Sequence, residues 1–300
     1  MADKLRKIHI INPCAGKGNK PYKIDNVDEY VTTSVGDAES FAYQTCLKEP
    51  AHIIVFGGDG TLNEVVNGII RAGAGDTARL SVVPAGTGND FARFIGNSET
   101  YDELVVDAML CNDRYAINMV NIGFDCSVVI KTNDYKKKPF IGGSLAYILG
   151  VCNVLMHRMG QRLSVRVETE DGKILNIDRE LLFTCIANAQ CCGGGFRAAP
   201  VADICDGIID VMMVDKISRI LFISLVGDYR KGKHIDPVTM EPVKSFKDFM
   251  RYIRCRSVDI SGMEHVCIDG EISECSSLHI ESVPNALRVI RLPADYPCQC

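Results

Sequence analysis

Gly57-Gly-Asp-Gly-Thr-Leu-Asn-Glu64 is the stretch whose residue types and spacing are most suited to chemistry. Glycines let a backbone come close to an anion, and a helix that follows them turns its first amides and positive dipole end toward it. Asp59 is the odd member, because a carboxylate inside such a cradle repels phosphate unless a divalent cation lies between them. The flanking residues supply the elements this requires. His52-Ile-Ile-Val-Phe56 is an apolar, β-branched run that predicts a buried strand. Leu62, Val65, Val66, Ile69 and Ile70 form a helical stripe. Strand, glycine turn and helix make a phosphate-binding layout, although a plain turn with a capping Asp gives the same pattern.

The run does not stand alone. An N-terminal strand, Lys7-Ile-His-Ile-Ile11, leads into Asn12-Pro-Cys-Ala-Gly-Lys-Gly18, again a glycine-bearing turn after a strand. A buried strand over 79–84 leads into Ala85-Gly-Thr-Gly-Asn-Asp-Phe-Ala-Arg93 and a helix. There Thr87 and Asn89 are neutral hydrogen-bonding groups, and Asp90 and Arg93 have the spacing of an i,i+3 ion pair. Further on, 163–169 and 174–177 alternate about Asp171-Gly172 and predict a hairpin. Asp125 is open between a substrate contact and a turn, and Asp203, Asp206 and Asp210 between a cation loop and an Asp-Gly turn. Asp269 and Glu271, two apart in a predicted strand over 266–272, would share one side of it.

The whole chain narrows the classes. Three hundred residues, 47% hydrophobic and 24% charged, suffice for two ordinary cores. A net charge of −5 argues against a broad basic nucleic-acid surface. The first residues hold no apolar leader, so no export signal and a cytoplasmic location are expected. The apolar stretches near 145–156 and 217–227 are too short to span a bilayer. Fourteen cysteines without a CxxC pair predict reduced, partly buried thiols rather than zinc ligands. Alternation of strand and helix, then runs of strands, predicts an α/β domain over 1–115 and a mainly antiparallel β domain over 116–275.

In order, these blocks resemble the diacylglycerol kinase catalytic-domain family, and within it the bacterial soluble lipid kinases. The resemblance rests on Gly57–Glu64 with Asn67-Gly68, on 86–93, on Asn12, Pro13 and Gly16, on Gly232-Lys-His234, and on Asp269-Gly-Glu271. It implies a NAD kinase/diacylglycerol kinase-like nucleotide-binding domain, a β-sandwich lipid-substrate domain, and a chain end, 276–300, that packs back on the first. It implies ATP and Mg²⁺ in the cleft between them. Nucleotide contacts would come from Asn12, Pro13, Cys14, Ala15, Gly16, Thr32, Gly58, Asp59, Gly60, Thr61, Leu62, Asn63, Glu64 and Thr87, with Ala15 standing where the family usually has Ser. Glu271 would be the general base and Asp59 would act through Mg²⁺. A structural Mg²⁺ would sit on Asp203, Asp206 and the backbone of Ile208. The implied activity is transfer of the ATP γ-phosphate to a lipid hydroxyl, by default that of diacylglycerol. The alternatives are a kinase of a soluble acceptor such as NAD and a non-catalytic nucleotide-binding regulator. A peripheral membrane contact aided by Lys136, Lys137 and Lys138, a homodimer and no nucleic-acid partner complete the expectations.

Overall fold

Four parallel strands carry the glycine turns. Arg6–Ile11 (β1), Asp28–Val31 (β2), Ala51–Gly57 (β3) and Arg79–Pro84 (β4) pair in the order β4-β3-β1-β2. All of β3 is buried, as a parallel strand covered on both faces should be. Between the strands run Asp37–Lys48 (α1) and Asp59–Arg71 (α2), and Asp90–Gly96 (α3) follows β4. The apolar stripe of α2 meets Ile8, Ile53 and Val55 in one core. Gly68 lets α1 and α2 touch, since a Cβ there would lie 2.5 Å from the Glu39 carbonyl oxygen. The computed structural model describes residues 5–15, 27–86, 88–96, 103–136, 138, 141, 143–157, 159–293 and 296.

The second half holds strands Glu103–Cys111 (β5), Arg114–Ala116 (β6) and Met119–Gly123 (β7), and helices Phe124–Lys136 (α4) and Gly143–Met156 (α5). Strands Gln161–Thr169 (β8), Ile174–Ala187 (β9) and Ile209–Asp215 (β10) follow, then helix Arg219–Arg230 (α6). Strands Met250–Ser261 (β11), His265–Ile268 (β12), Glu271–Glu274 (β13) and Ser277–Ile290 (β14) complete the order. Pairing runs β13-β12-β7-β9-β10-β11-β14, antiparallel throughout, with β8 bridging β9 and β11. This sandwich has its own core, including Val120, Ile122, Leu163, Ile186, Val211 and Val258. β14 joins the halves: it pairs with β11 at its start, with β5 along most of its length, and parallel to β4 at Val289.

Three expectations are corrected in detail. Tyr115–Phe124, an apolar run that reads in sequence as one strand, is broken into β6 and β7, because the N–H groups of Ile117, Asn118 and Met119 all donate to the Asp269 carboxylate. The strand expected over 266–272 is a hairpin. Asp269 (φ 46°) and Gly270 (φ 92°) form its two-residue loop, and both positive φ values match a type I′ turn. The second hairpin strand, expected over 174–177, runs on through Leu181–Ala187 as one continuous strand, β9. β5 and α4 were not foreseen.

Candidate active site

The glycine turns meet at the carboxyl ends of β1, β3 and β4, the edge where open parallel sheets bind ligands. Gly58 precedes α2 in extended conformation with no side-chain cap, and the first bond back to it is from the Leu62 N–H at 3.1 Å. The earlier amides of the helix therefore face the turn. Gly58 and Gly86 pack against each other: a Cβ on Gly86 would stand 2.6 Å from the Gly58 Cα. Asn89 (φ 53°) closes the second turn, accepting from the Gly86 N–H at 2.8 Å and donating to its carbonyl at 2.7 Å. Asn12 brings in the third, its amide donating to the Thr61 hydroxyl at 2.8 Å and its oxygen accepting from the Cys14 N–H at 2.9 Å. Pro13 and Cys14 are exposed and Ala15 half-buried in this turn. Thr32 is buried beside it, its hydroxyl donating to the Ile11 carbonyl at 3.3 Å. Gly16 and Thr87 lie outside the described residues.

Carboxylates crowd this edge. Asp59 accepts from the Asp90 N–H at 3.0 Å. Burial first, and the neighbouring Asp90 charge second, push its pKa up to about 6. Asp90 is itself buried and accepts from the N–H groups of Gly194 and Gly195, each at 2.9 Å, with Arg93 at 3.5 Å. The expected Asp90–Arg93 pair is present, and the larger role of Asp90 is to tie the triple-glycine turn of the sandwich to the nucleotide half. From the sandwich, the β12–β13 hairpin sets Glu271 over the start of α2: a Cβ on Gly60 would lie 2.8 Å from the Glu271 carboxylate. Glu271 is exposed. Its neighbour Asp269 is buried and takes four N–H donors, from Ile117, Asn118, Met119 and the Asn63 amide, at 2.8–3.0 Å. Burial pushes the Asp269 carboxyl upward and those donors pull it back. The hairpin tip thus has one acid that holds its position and one that faces solvent and α2.

Several residues expected to touch the nucleotide have their side chains engaged elsewhere. Leu62 is in the core. The Asn63 amide donates to the Tyr115 carbonyl and to Asp269, both at 2.9 Å, while its oxygen accepts from Arg114 at 2.8 Å. Glu64 accepts from the N–H groups of Gly36 at 2.9 Å and Ala38 at 3.1 Å, so it caps α1. These three position the turn, which leaves Gly58, Asp59 and Gly60 partly open at its surface, with the buried Thr61 side chain held by Asn12. His234 is buried, donates from Nε2 to the Ala198 carbonyl at 3.0 Å, and is pushed down to about 4 by burial, which makes it a neutral packing residue. Asp125 opens α4; burial raises it to about 7, although the residue keeps partial access. Sequence reasoning missed Asp107, buried in β5, which accepts from Gly207 at 2.6 Å and Asn285 at 2.7 Å. An acid inside an apolar run was its only signal.

In the loop expected to hold a structural Mg²⁺, both carboxylates are engaged by protein donors. Asp203 accepts from the Cys205 N–H and Asp206 from the Ile208 N–H, each at 3.0 Å. Asp206 also pairs with Arg254, which reaches Glu170 at 3.4 Å and the buried Asp210 at 3.8 Å. Among the described residues no three acidic, His or Cys side chains converge as a metal site. The guanidinium already supplies the loop's positive charge. We expect the melting temperature of the nucleotide-free protein to stay flat as Mg²⁺ rises at constant ionic strength. Arg254→Met should cost about 1–3 kcal/mol, since it leaves the Asp210 carboxylate buried beside uncompensated acids. A Mg²⁺-dependent rise in melting temperature that Asp206→Ala abolishes would contradict this arrangement.

A parallel sheet whose glycine turns meet a carboxylate hairpin from an antiparallel sandwich is the layout of a nucleotide-dependent kinase. Residues 8–122 match the diacylglycerol kinase catalytic domain, and residues 118–291 match the YegS C-terminal NAD kinase beta sandwich-like domain. The chain belongs to the diacylglycerol kinase catalytic-domain family, in the form that carries the YegS-type sandwich. It is similar to the protein named "Probable lipid kinase YegS" of Shigella flexneri, 29% identical over 282 residues that cover 89% of this chain and 86% of that one. The same figures hold for the protein of that name from Escherichia coli O127:H6 (strain E2348/69 / EPEC). A solved chain from Bacillus anthracis str. Sterne superposes with a TM-score of 0.71 at 23% identity, covering 97% of this chain and 99% of that chain. A second from that organism, named as a diacylglycerol kinase, gives 0.65 at 20%, covering 97% and 98%. These two likenesses concern the fold. Among the described residues no helix is long and apolar enough to cross a membrane.

Proposed function

We propose that this protein transfers the γ-phosphoryl group of ATP to a lipid hydroxyl, with diacylglycerol as acceptor and phosphatidic acid as product. The observation that carries the reading is the placement of Glu271, from the sandwich, against Gly60 at the start of α2, beside the half-buried Asp59. Phosphoryl transfer asks a protein mainly for positioning and charge neutralisation. The first amides of α2, at 58–61, would meet the phosphates, and the turns at 12–15 and 85–86, whose own N–H groups are bonded within the protein, hold that turn in place. Asp59, half-buried, is raised first by desolvation and then by the charges of Asp90 and Asp269, and that concentration of acids suits a divalent cation. Asp59 would hold Mg²⁺, whose charge offsets that of the phosphates. Glu271 takes the proton of the acceptor hydroxyl as its oxygen attacks the γ-phosphorus, the bond to the β–γ bridging oxygen breaks and ADP leaves, and Asp269 fixes the hairpin that aims Glu271.

The relatives named as lipid kinases support a lipid acceptor; the NAD kinase-like description of the sandwich is why a soluble acceptor belongs in the test. Purified protein with ATP and Mg²⁺ is offered diacylglycerol, a glycerophospholipid, a sphingoid base and a prenol-like alcohol in mixed micelles, and NAD⁺ in solution. Mass spectrometry of the products should show phosphatidic acid as the main phosphorylated species. NADP⁺ as the sole product would overturn the reading.

A further inference from the structure

The sandwich half carries an apolar strip left open to solvent. On α6, Ile220 is 83% exposed and Ile223 61%. The inward side of the same helix, Phe222, Leu225 and Tyr229, lies over Phe183 and Met250. The helix is therefore apolar toward the core and apolar again on part of its outer surface. At 100° per residue, 220, 223, 227 and 231 share the outer strip, and 219, 223 and 230 share its edge. The strip runs from two isoleucines to Lys231, with Arg219 and Arg230 along one side. Met156, at the end of α5 and 73% exposed, is drawn beside the start of α6 because Arg219 donates to the carbonyls of Leu155 at 2.5 Å and His157 at 2.8 Å.

The cations of this face are turned to carbonyls, rings and water. Arg219 makes the two carbonyl bonds just given, Arg230 lies 5.3 Å over the Phe196 ring, and Lys231 and Lys233 are exposed. With one exposed acid on the helix, Asp228, against Arg219, Arg230, Lys231 and Lys233, this region has a local excess of positive charge beside exposed apolar surface in a chain of net charge −5.

We propose that the α5–α6 face docks onto an anionic lipid bilayer, with Ile220, Ile223 and Met156 entering the boundary between headgroups and acyl chains and Arg219, Arg230 and Lys231 meeting the phosphates. This rests on the lipid-kinase reading and adds to it the side of the molecule that meets the membrane. It assigns the contact to α6 rather than to the basic run at 136–138, where Lys137 and the Lys136 side chain lie outside the described residues and Lys138 sits 4.9 Å over the Tyr135 ring. Charge complementarity favours a bilayer over a second copy, since a two-fold pair through this face would oppose its cations to themselves.

The test is co-sedimentation with vesicles of phosphatidylcholine containing phosphatidylglycerol, beside vesicles of phosphatidylcholine alone. The protein should pellet with the anionic vesicles, and added salt should weaken that binding. Ile220→Glu/Ile223→Glu should lower the partition coefficient at least about tenfold, because it replaces two inserted apolar side chains by anions. Ile220→Trp/Ile223→Trp should restore binding. Both positions are exposed, so melting temperatures should match the parent. Failure of the parent to pellet, or equal pelleting of the Glu variant, would overturn the proposal. So would a dimer in light scattering that the Glu variant splits without change in vesicle binding. Activity on a short-chain diacylglycerol below its micelle concentration should be the same in parent and Glu variant. Absence of that activity from the parent would instead count against the lipid-kinase reading.

Discussion

Asp59→Asn is expected to lower turnover at least about 100-fold, the scale of losing one preorganised electrostatic group. The substitution keeps the shape and the acceptor oxygen that meets the Asp90 N–H at 3.0 Å, and it removes the charge that would hold the cation. The pH dependence separates this from a folding effect. Burial beside Asp90 raises the free carboxyl to about 6, so the nucleotide-free protein is protonated there below that pH. kcat/KM for MgATP should fall as pH drops through about 6, and the Asn variant should lack this limb. For stability the sign is opposite. A carboxyl raised on folding contributes stability that is full below its unfolded value of 3.8 and lost as pH rises through about 6. The charged Asp59 therefore weakens the fold at neutral pH, and the Asn variant should melt at or above the parent temperature there. Near-normal turnover in this variant would contradict the role given to Asp59.

Glu271→Gln is the second large effect, a loss of roughly 10²–10⁴-fold in turnover with ATP binding little changed. Glu271 is exposed and its carboxylate lies against Gly60, so glutamine fits the same space without disturbing a core. Asp269→Asn provides the contrast. It places an amide donor among four N–H donors in a buried site, so it should act mainly through stability, by about 2–4 kcal/mol. Equilibrium binding of ATP measured beside turnover decides between roles. If affinity collapses in Glu271→Gln, Glu271 binds nucleotide or metal and the base lies elsewhere, first at Asp59.

What could be read in the chain depended on how local the physical reason was. The glycine turns were legible because a strand, a turn and a helical stripe lie within twenty residues of one another. That Gly58 is glycine partly to touch Gly86 was not, since the contact joins two turns. Asn63 and Glu64 sit in the most chemical stretch of the sequence, yet one joins Asp269, 206 residues away, and the other caps α1. Residue type suggested ligand contact; only the fold shows the protein partners. The Asp269-Gly270 pair is a hairpin turn in plain form, obscured by apolar residues on both sides that extend the strand pattern through it. The acidic loop at 203–210 has cation-ligand spacing, and its cation, Arg254, comes from β11. The joining of the halves by β14 is a long-range pairing for which the sequence near 277–290 holds no sign beyond a strand.

The central claim is that the cleft between the glycine turns and the Glu271 hairpin moves the γ-phosphate of ATP onto a lipid hydroxyl. It is tested most directly with γ-labelled ATP, Mg²⁺ and diacylglycerol in mixed micelles, with label followed into the organic phase. The account predicts label in a lipid phosphomonoester, formed only when diacylglycerol is present and nearly lost in Asp59→Asn and Glu271→Gln. Label found solely in inorganic phosphate, at a rate indifferent to diacylglycerol and to both substitutions, would contradict it.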